Sequence, residues 1–247
     1  MPNKPMENPS AARSDMRQYA PATERNREPI LEVLKQVLSQ GDTQSGAQGG
    51  AQGGAQSGTK GDTKGDTQRG TVLEIASGTG EHAAFFAPRL PHLQWLPSEP
   101  QAMMRESIQA WTKAVASPAN LLPVLALEVS QRPWPVEVTI PTVPICAVVN
   151  INMIHISEWA MSGHLMAGAQ RVLTKDGLLY LYGPFKREGQ HTAPSNEAFD
   201  GMLRDRNPAW GIRDLEAIIE LAAAHQLAFE QLISMPANNF SVTFRRQ

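Results

Sequence analysis

The sequence predicts a doubly wound α/β domain. Three observations carry that expectation. Short apolar strand patterns alternate with amphipathic helical ones from residue 72 onward. A glycine-rich turn joins the first such strand to the first such helix, and the last two strand patterns follow one another with no helix between them. Alternation of this kind builds a parallel sheet covered on both faces, and the closing pair adds a terminal antiparallel hairpin.

The elements follow in order. Residues 1–14 carry prolines at 2, 5 and 9 and little to bury, and they read as a disordered head. Residues 15–40 read as a polar lid followed by a helix over 28–39, with Ile30, Leu31, Leu34, Val37 and Leu38 as its apolar stripe and Pro29 in its first turn. Residues 41–70 hold ten of the 19 glycines and no large aliphatic or aromatic residue, which predicts a flexible Gly/Gln/Thr-rich linker. The domain proper spans 71–247. Strands are expected over 72–75, 93–96, 122–129, 146–149 and 177–182, and late strands over 227–233 and 240–245, seven in all. Helices are expected over 81–90, 101–115, 158–173 and 214–224, the last capped by Asp214.

Composition narrows the function. The 247 residues include 41% hydrophobic ones, enough for a core, so a chain disordered throughout is excluded. A net charge of −2 gives no general attraction to nucleic acid, and none is expected as a partner. Cys146 is the single cysteine, which excludes an intrachain disulfide framework and a multi-thiolate metal site. The six histidines show no ligand spacing, so no metal is expected. No apolar run reaches membrane-spanning length, and the amino terminus has no apolar signal core. The expectation is a cytoplasmic protein with a small-molecule substrate and no membrane partner. The sequence leaves its oligomeric state open.

The sharpest chemical signal is Val72-Leu-Glu74-Ile-Ala-Ser-Gly78-Thr79-Gly80-Glu-His82. Gly78 and Gly80 permit positive φ and close approach of a ligand to the backbone around Thr79. Glu99, 19 residues after Gly80, closes the second strand, where an acid accepts both hydroxyls of a ribose. Glu74 would repel a diphosphate but would pair with a cationic amino-acid group. S-adenosylmethionine carries such a group and no phosphate, and it is the cofactor these acids fit. Glu128, after the third strand pattern, is positioned to receive an adenine amino group, and His82 to line the site.

The run Leu73-Glu-Ile-Ala-Ser-Gly-Thr-Gly80 resembles the cofactor loop of class I S-adenosylmethionine-dependent methyltransferases. The resemblance narrows to one small methyltransferase-like family of bacteria and eukaryotes with no established substrate. Further motifs carry it: Tyr19-Ala-Pro-Ala-Thr-Glu-Arg-Asn-Arg27, Ser98-Glu-Pro100, Asn150-Ile-Asn-Met-Ile-His-Ile-Ser157, Leu181-Tyr-Gly-Pro-Phe185, Trp210-Gly-Ile-Arg-Asp214 and Met235-Pro-Ala-Asn-Asn239. It implies a Rossmann-like seven-stranded sheet and that cofactor, but no substrate. The chain departs from related sites in its 41–70 insert and in having glutamate at 99 and 128, where aspartate is usual.

The remaining candidates follow from position. Asn152 and His155 lie just beyond a buried strand, at the edge where such sheets bind ligands. Asn152 would touch the methionine portion of the cofactor, and His155 would serve as general base near neutral pH. Arg25 or Arg27 would clamp a carboxylate, and Tyr19 would fill the apolar side of the pocket. His191 and Asn196 follow a second glycine turn and would line a substrate wall. These roles describe a methyltransferase acting on a small polar or carboxylate-bearing molecule. Two rivals share the fold: a regulator that binds the cofactor or its demethylated product without turnover, and an NAD-dependent oxidoreductase.

Overall fold

The computed structural model describes residues 15–39, 70–116 and 118–247. The disordered head expected over 1–14 lies outside the described residues, as does the linker expected over 41–70 except for its last residue. Gly70 itself opens the first strand, so the domain begins one residue earlier than its sequence suggested.

Strands β1 (Gly70–Ile75), β2 (Leu93–Pro97), β3 (Ile145–Ile151) and β4 (Leu178–Gly183) are mutually parallel. The last two, β8 (Leu227–Met235) and β9 (Asn239–Arg246), form the antiparallel hairpin, with β9 paired to β4. The sheet order is β2-β1-β3-β4-β9-β8. Side chains alternate between its two faces, and both faces are covered. Val72, Ala147, Val149, Leu178 and Tyr180 pack beneath helices α1 (Pro21–Ser39) and α2 (Glu81–Phe86). Leu73, Val148, Leu179 and Leu181 pack beneath α5 (Trp159–Val172) and α7 (Leu215–Ala223). Asp214 caps α7 as its sequence predicts, its side chain accepting the Ala217 N–H.

Three expectations need correction. The helix expected over 28–39 begins at Pro21, so Pro29 lies inside it. That proline gives up one backbone donor, but burial of Ile30, Leu31, Leu34 and Val37 holds the helix together across it. The strand expected over 122–129 is reduced to two isolated bridges, Trp95 to Leu121 and Ser98 to Leu125, so the sheet has six strands rather than seven. The cause is local: neither Pro97 nor Pro123 has an N–H to give the ladder. The segment 186–196, in which His191 and Asn196 were expected to line a substrate wall with no regular structure, contains a small sheet and the start of a helix. Strands β5 (Phe185–Arg187), β6 (Gln190–His191) and β7 (Arg213–Asp214) pair in the order β6-β5-β7, and α6 (Pro194–Arg206) follows β6. Helix α6 buries only Asn196, Asp200 and Leu203, so it has no apolar stripe by which sequence could reveal it. Two further helices complete the described chain, α3 (Ala102–Ala114) and the single turn α4 (Pro135–Val138). Among the described residues, no helix is long and apolar enough to cross a membrane.

Candidate active site

The carboxyl ends of β1, β2, β3 and β4 gather the site. After β1 the chain turns through Ala76, Gly78 and Gly80, with φ of 56°, 55° and 89°. A Cβ on Gly78 would meet nothing within 4 Å, whereas one on Gly80 would lie 2.7 Å from the Ile108 Cα. Gly78 therefore presents open backbone, and Gly80 allows α3 to approach the loop. Ser98 ties the loop to β2: its Oγ donates to the Glu74 carbonyl at 2.7 Å, and its carbonyl accepts the Ser77 N–H.

Glu99 stands beside the open glycine. One carboxylate oxygen accepts the Gly78 N–H at 3.0 Å and the other accepts the Gln101 N–H at 3.1 Å. Burial raises its pKa; the two N–H donors and Arg105 oppose the rise. Each oxygen keeps lone-pair capacity for another donor. Glu128 is exposed and raises the Glu99 pKa by like charge, which sets it on the same side of the site.

Glu74 has a structural role beside the one expected of it. It is buried, and its Oε2 accepts both the Trp95 indole N–H and the Ser77 hydroxyl at 3.0 Å. Burial, reinforced by Glu99, pushes its pKa up to about 7 against those two hydrogen bonds. Both bonds go to the one oxygen, through which Glu74 braces the loop against β2.

Asn152 has φ 63°, and its N–H donates to the Tyr182 carbonyl, joining the β3 and β4 edges. His155 is 1% exposed, and neither ring nitrogen has a partner. Its ring meets the edge of Phe185 and occupies the space that a Cβ on Gly183 would take, 2.3 Å from Nε2. Burial, with help from the Arg213 charge, pushes its pKa down to about 3. The expected titration near neutral pH is therefore corrected: His155 is a neutral imidazole throughout the physiological range.

The lid residues divide. Arg25 is exposed and its charge lowers the pKa of Tyr182, whose hydroxyl is hydrogen-bonded with Asn26; burial outweighs both and raises that pKa. Arg25 therefore lies near Tyr182, at the carboxyl end of β4. Arg27 does not: its guanidinium lies 4.8 Å from the centre of the Phe85 ring, in the seam between α1 and α2. His82 lies in the same seam, bonded to Asn26 at 2.9 Å and stacked on Phe86, so it serves packing rather than the loop's open face. Tyr19 stacks edge-on against Trp111 of α3 and is 60% exposed. The segment 15–20 is strapped to the loop through two residues whose role sequence reading missed. Ser107 accepts the Gln18 N–H and donates to the Thr79 carbonyl, while Glu81 accepts both the Ala20 N–H and the Thr79 hydroxyl.

The substrate-wall residues also have other partners. Asn196 donates to Thr192 and to the Asn238 carbonyl, pinning α6 to the β8–β9 turn. His191 lies 3.5 Å from the carboxylate of Asp200. Asp200 also holds Lys186 at 3.3 Å, Arg204 at 3.2 Å and the Ile212 N–H at 2.6 Å. The Trp210-Gly-Ile-Arg-Asp214 motif now has a structural role. Arg213 donates to the carbonyls of Ile154 and Ser157, on either side of His155, and the Gly211 N–H donates to His155's own carbonyl. Among the described residues, no group of three or more His, Cys, Asp or Glu is placed to hold a metal ion.

A mixed sheet of this order, flanked by helices and carrying a glycine-rich loop at the end of β1, is the class I methyltransferase fold. Solved structures share it. An O-methyltransferase family 2 protein from Planctomyces limnophilus, in complex with apigenin, superposes with TM-score 0.63 at 14% identity, over 91% of this chain and 62% of its own. An O-methyltransferase family protein from Burkholderia thailandensis gives 0.62 at 11%, over 92% and 60%. Human N-acetylserotonin methyltransferase in complex with S-adenosylmethionine gives 0.56 at 11%, over 71% and 47%. This chain thus spans about half to three-fifths of the length of these proteins.

The chain belongs to the family described as protein of unknown function (DUF938), whose model matches residues 63–246. The strap at 15–20 and helix α1 lie outside that match.

Proposed function

We propose that this protein is an S-adenosylmethionine-dependent methyltransferase acting on a small polar or carboxylate-bearing molecule. The observation that carries the reading is the open backbone of Gly78 with the Glu99 carboxylate fixed beside it. The residues fit the cofactor: a Cβ-free turn admits a ligand, and a half-satisfied carboxylate is placed to accept ribose hydroxyls. Thr79, Gly80 and Asn152 complete the cofactor side, and Glu128 is the acid available to an adenine amino group. When bound, S-adenosylmethionine supplies a methyl group on a sulfonium, a leaving group that needs no acid. The protein's own work is to orient the acceptor and exclude water. Arg25 steers a carboxylate at the β4 edge. His155 has both ring nitrogens unpartnered, but burial and a pKa of about 3 make it a poor base as it stands, so it would take a proton from a nucleophile only where acceptor binding opens its pocket.

Calorimetric titration with S-adenosylmethionine, S-adenosylhomocysteine and NAD tests the reading. Micromolar binding of the sulfur ligands with NAD silent is expected; NAD binding alone would replace it with the oxidoreductase. Glu99→Ala should weaken S-adenosylhomocysteine by more than tenfold, through loss of about 1.5–3 kcal/mol of charged hydrogen bonding, with an unchanged circular dichroism spectrum. The depth of His155 favours a second reading, a binder without turnover. His155→Gln separates the two. A methyltransferase is expected to lose turnover while keeping cofactor affinity, and a wild-type protein that binds cofactor but methylates nothing in a broad acceptor panel would be the binder.

A further inference from the structure

Beside the His155 loop lies a cavity of about 380 Å³ that the cofactor loop does not line. Its walls are Trp159 at the start of α5, Lys186 and Gly189 of the small sheet, and Ile212, Arg213 and Asp214. Resting on the methyltransferase reading, we propose that this cavity seats the methyl acceptor and that the acceptor is a small aromatic carboxylate.

Four observations lead there. First, the cavity lies next to the turn that carries His155, because Arg213 of its lining grips the carbonyls of Ile154 and Ser157 on either side of that histidine. Second, the volume suits a single substituted ring. Third, Trp159 is 43% exposed at the cavity edge, an aromatic surface that a flat ligand would cover. Fourth, the lining carries two cations, Lys186 and Arg213, against one carboxylate, Asp214. Arg213 gives its donors to the carbonyls of Ile154, Ser157 and Ala209, and among the described residues no carboxylate lies within ion-pair distance of it. Among the described residues Lys186 pairs with Asp200 alone, which Arg204 and His191 share. The one carboxylate in the lining, Asp214, accepts the N–H groups of Gly189 and Ala217 and is also hydrogen-bonded with the Glu216 carboxyl, so it is held at the wall and not aimed into the cavity. Glu188 and Glu216 stand outside the lining and are exposed, where water and salt screen them.

The experiment uses the full chain, free and saturated with S-adenosylhomocysteine, and four probes: benzoate, benzamide, benzylamine and acetate. Binding is read by saturation-transfer NMR and calorimetry. Benzoate is expected to bind at least tenfold tighter than each of the others. Trp159→Ala and Lys186→Gln should each weaken benzoate at least fivefold and leave S-adenosylhomocysteine affinity unchanged. Equal binding of benzoate and benzamide, preference for the benzylammonium cation, or a benzoate affinity that neither substitution moves would overturn the proposal. If either variant fails to fold, the comparison among probes on the wild-type chain still decides. Cofactor binding with no benzoate binding would overturn the pocket alone. Absence of S-adenosylhomocysteine binding would instead remove the methyltransferase reading.

Discussion

Gly80→Ala should destabilise the protein by roughly 3 kcal/mol and abolish S-adenosylhomocysteine binding, whereas Gly78→Ala should cost only about 1 kcal/mol. Both glycines have positive φ, 55° at 78 and 89° at 80. Left-handed backbone is not by itself prohibitive in this turn, because Ala76 adopts φ 56° with a side chain. The difference is what the added methyl meets. At Gly78 it meets nothing within 4 Å, but at Gly80 it lies 2.7 Å from the Ile108 Cα, a backbone atom of α3 that no rotamer change can move. Relief requires shifting α3 away from the loop. That shift also pulls on Ser107, whose hydroxyl holds the Thr79 carbonyl at 2.7 Å. Urea melts and calorimetry on both variants check the contrast. Equal destabilisation at the two positions would mean that α3 gives way easily and that its packing does not shape the loop.

The same pair of glycines shows what was legible in the sequence. A strand, a turn rich in small residues and a helix are local patterns, and they identified the loop and its β1 strand directly. Glu99 was legible for the same reason, since it falls at a fixed distance along the chain and the structure sets it against Gly78. The edge strand at 122–129 was misread because its apolar residues satisfy a strand pattern, while the missing donors at Pro97 and Pro123 act only when the two segments are paired. Helix α6 was invisible because its buried side chains are largely polar, held by partners far along the chain such as Asn238 and Ile212. His82 was assigned to the site from its place in the first turn after the glycine loop, and Arg27 from the polar lid cluster it shares with Tyr19 and Arg25. In the structure, α1 lies across α2 and takes both into an aromatic seam with Phe85 and Phe86. Side-chain direction of this kind depends on which helix packs where, and no spacing rule carries it. Arg213 could be noticed as part of a motif, but its function as a clasp needs the 154–157 turn to be brought beside it.

Glu74→Gln should stabilise the protein at pH 8 by roughly 2–4 kcal/mol and by only about 1 kcal/mol at pH 5. The folded-state pKa of Glu74 is raised to about 7 from an ordinary 4.5, mainly by burial. Its neutral form is thus favoured by folding. That contribution is fully present below about pH 4.5 and is lost as pH rises through 7. His82 and His155 act in the opposite direction. Burial lowers both to about 3, so the unfolded chain takes up protons that the folded one refuses as pH falls below 6.5. Stability should therefore peak near pH 6 and decline on both sides. Glutamine cannot ionise, yet its carbonyl can still accept from Ser77 and Trp95, so the alkaline decline should flatten in the variant. Thermal melts from pH 5 to 8 measure this directly, and parallel curves for wild type and variant would refute the buried-acid assignment. Cofactor affinity gives an independent check on the role of Glu74. Because both of its hydrogen bonds go to Trp95 and Ser77 within the protein, Glu74→Gln should change S-adenosylhomocysteine affinity at pH 7 by less than threefold. A tenfold loss would instead mean that the carboxylate pairs with the ligand's ammonium group, and that ligand binding draws Glu74 out of its contacts with Trp95 and Ser77.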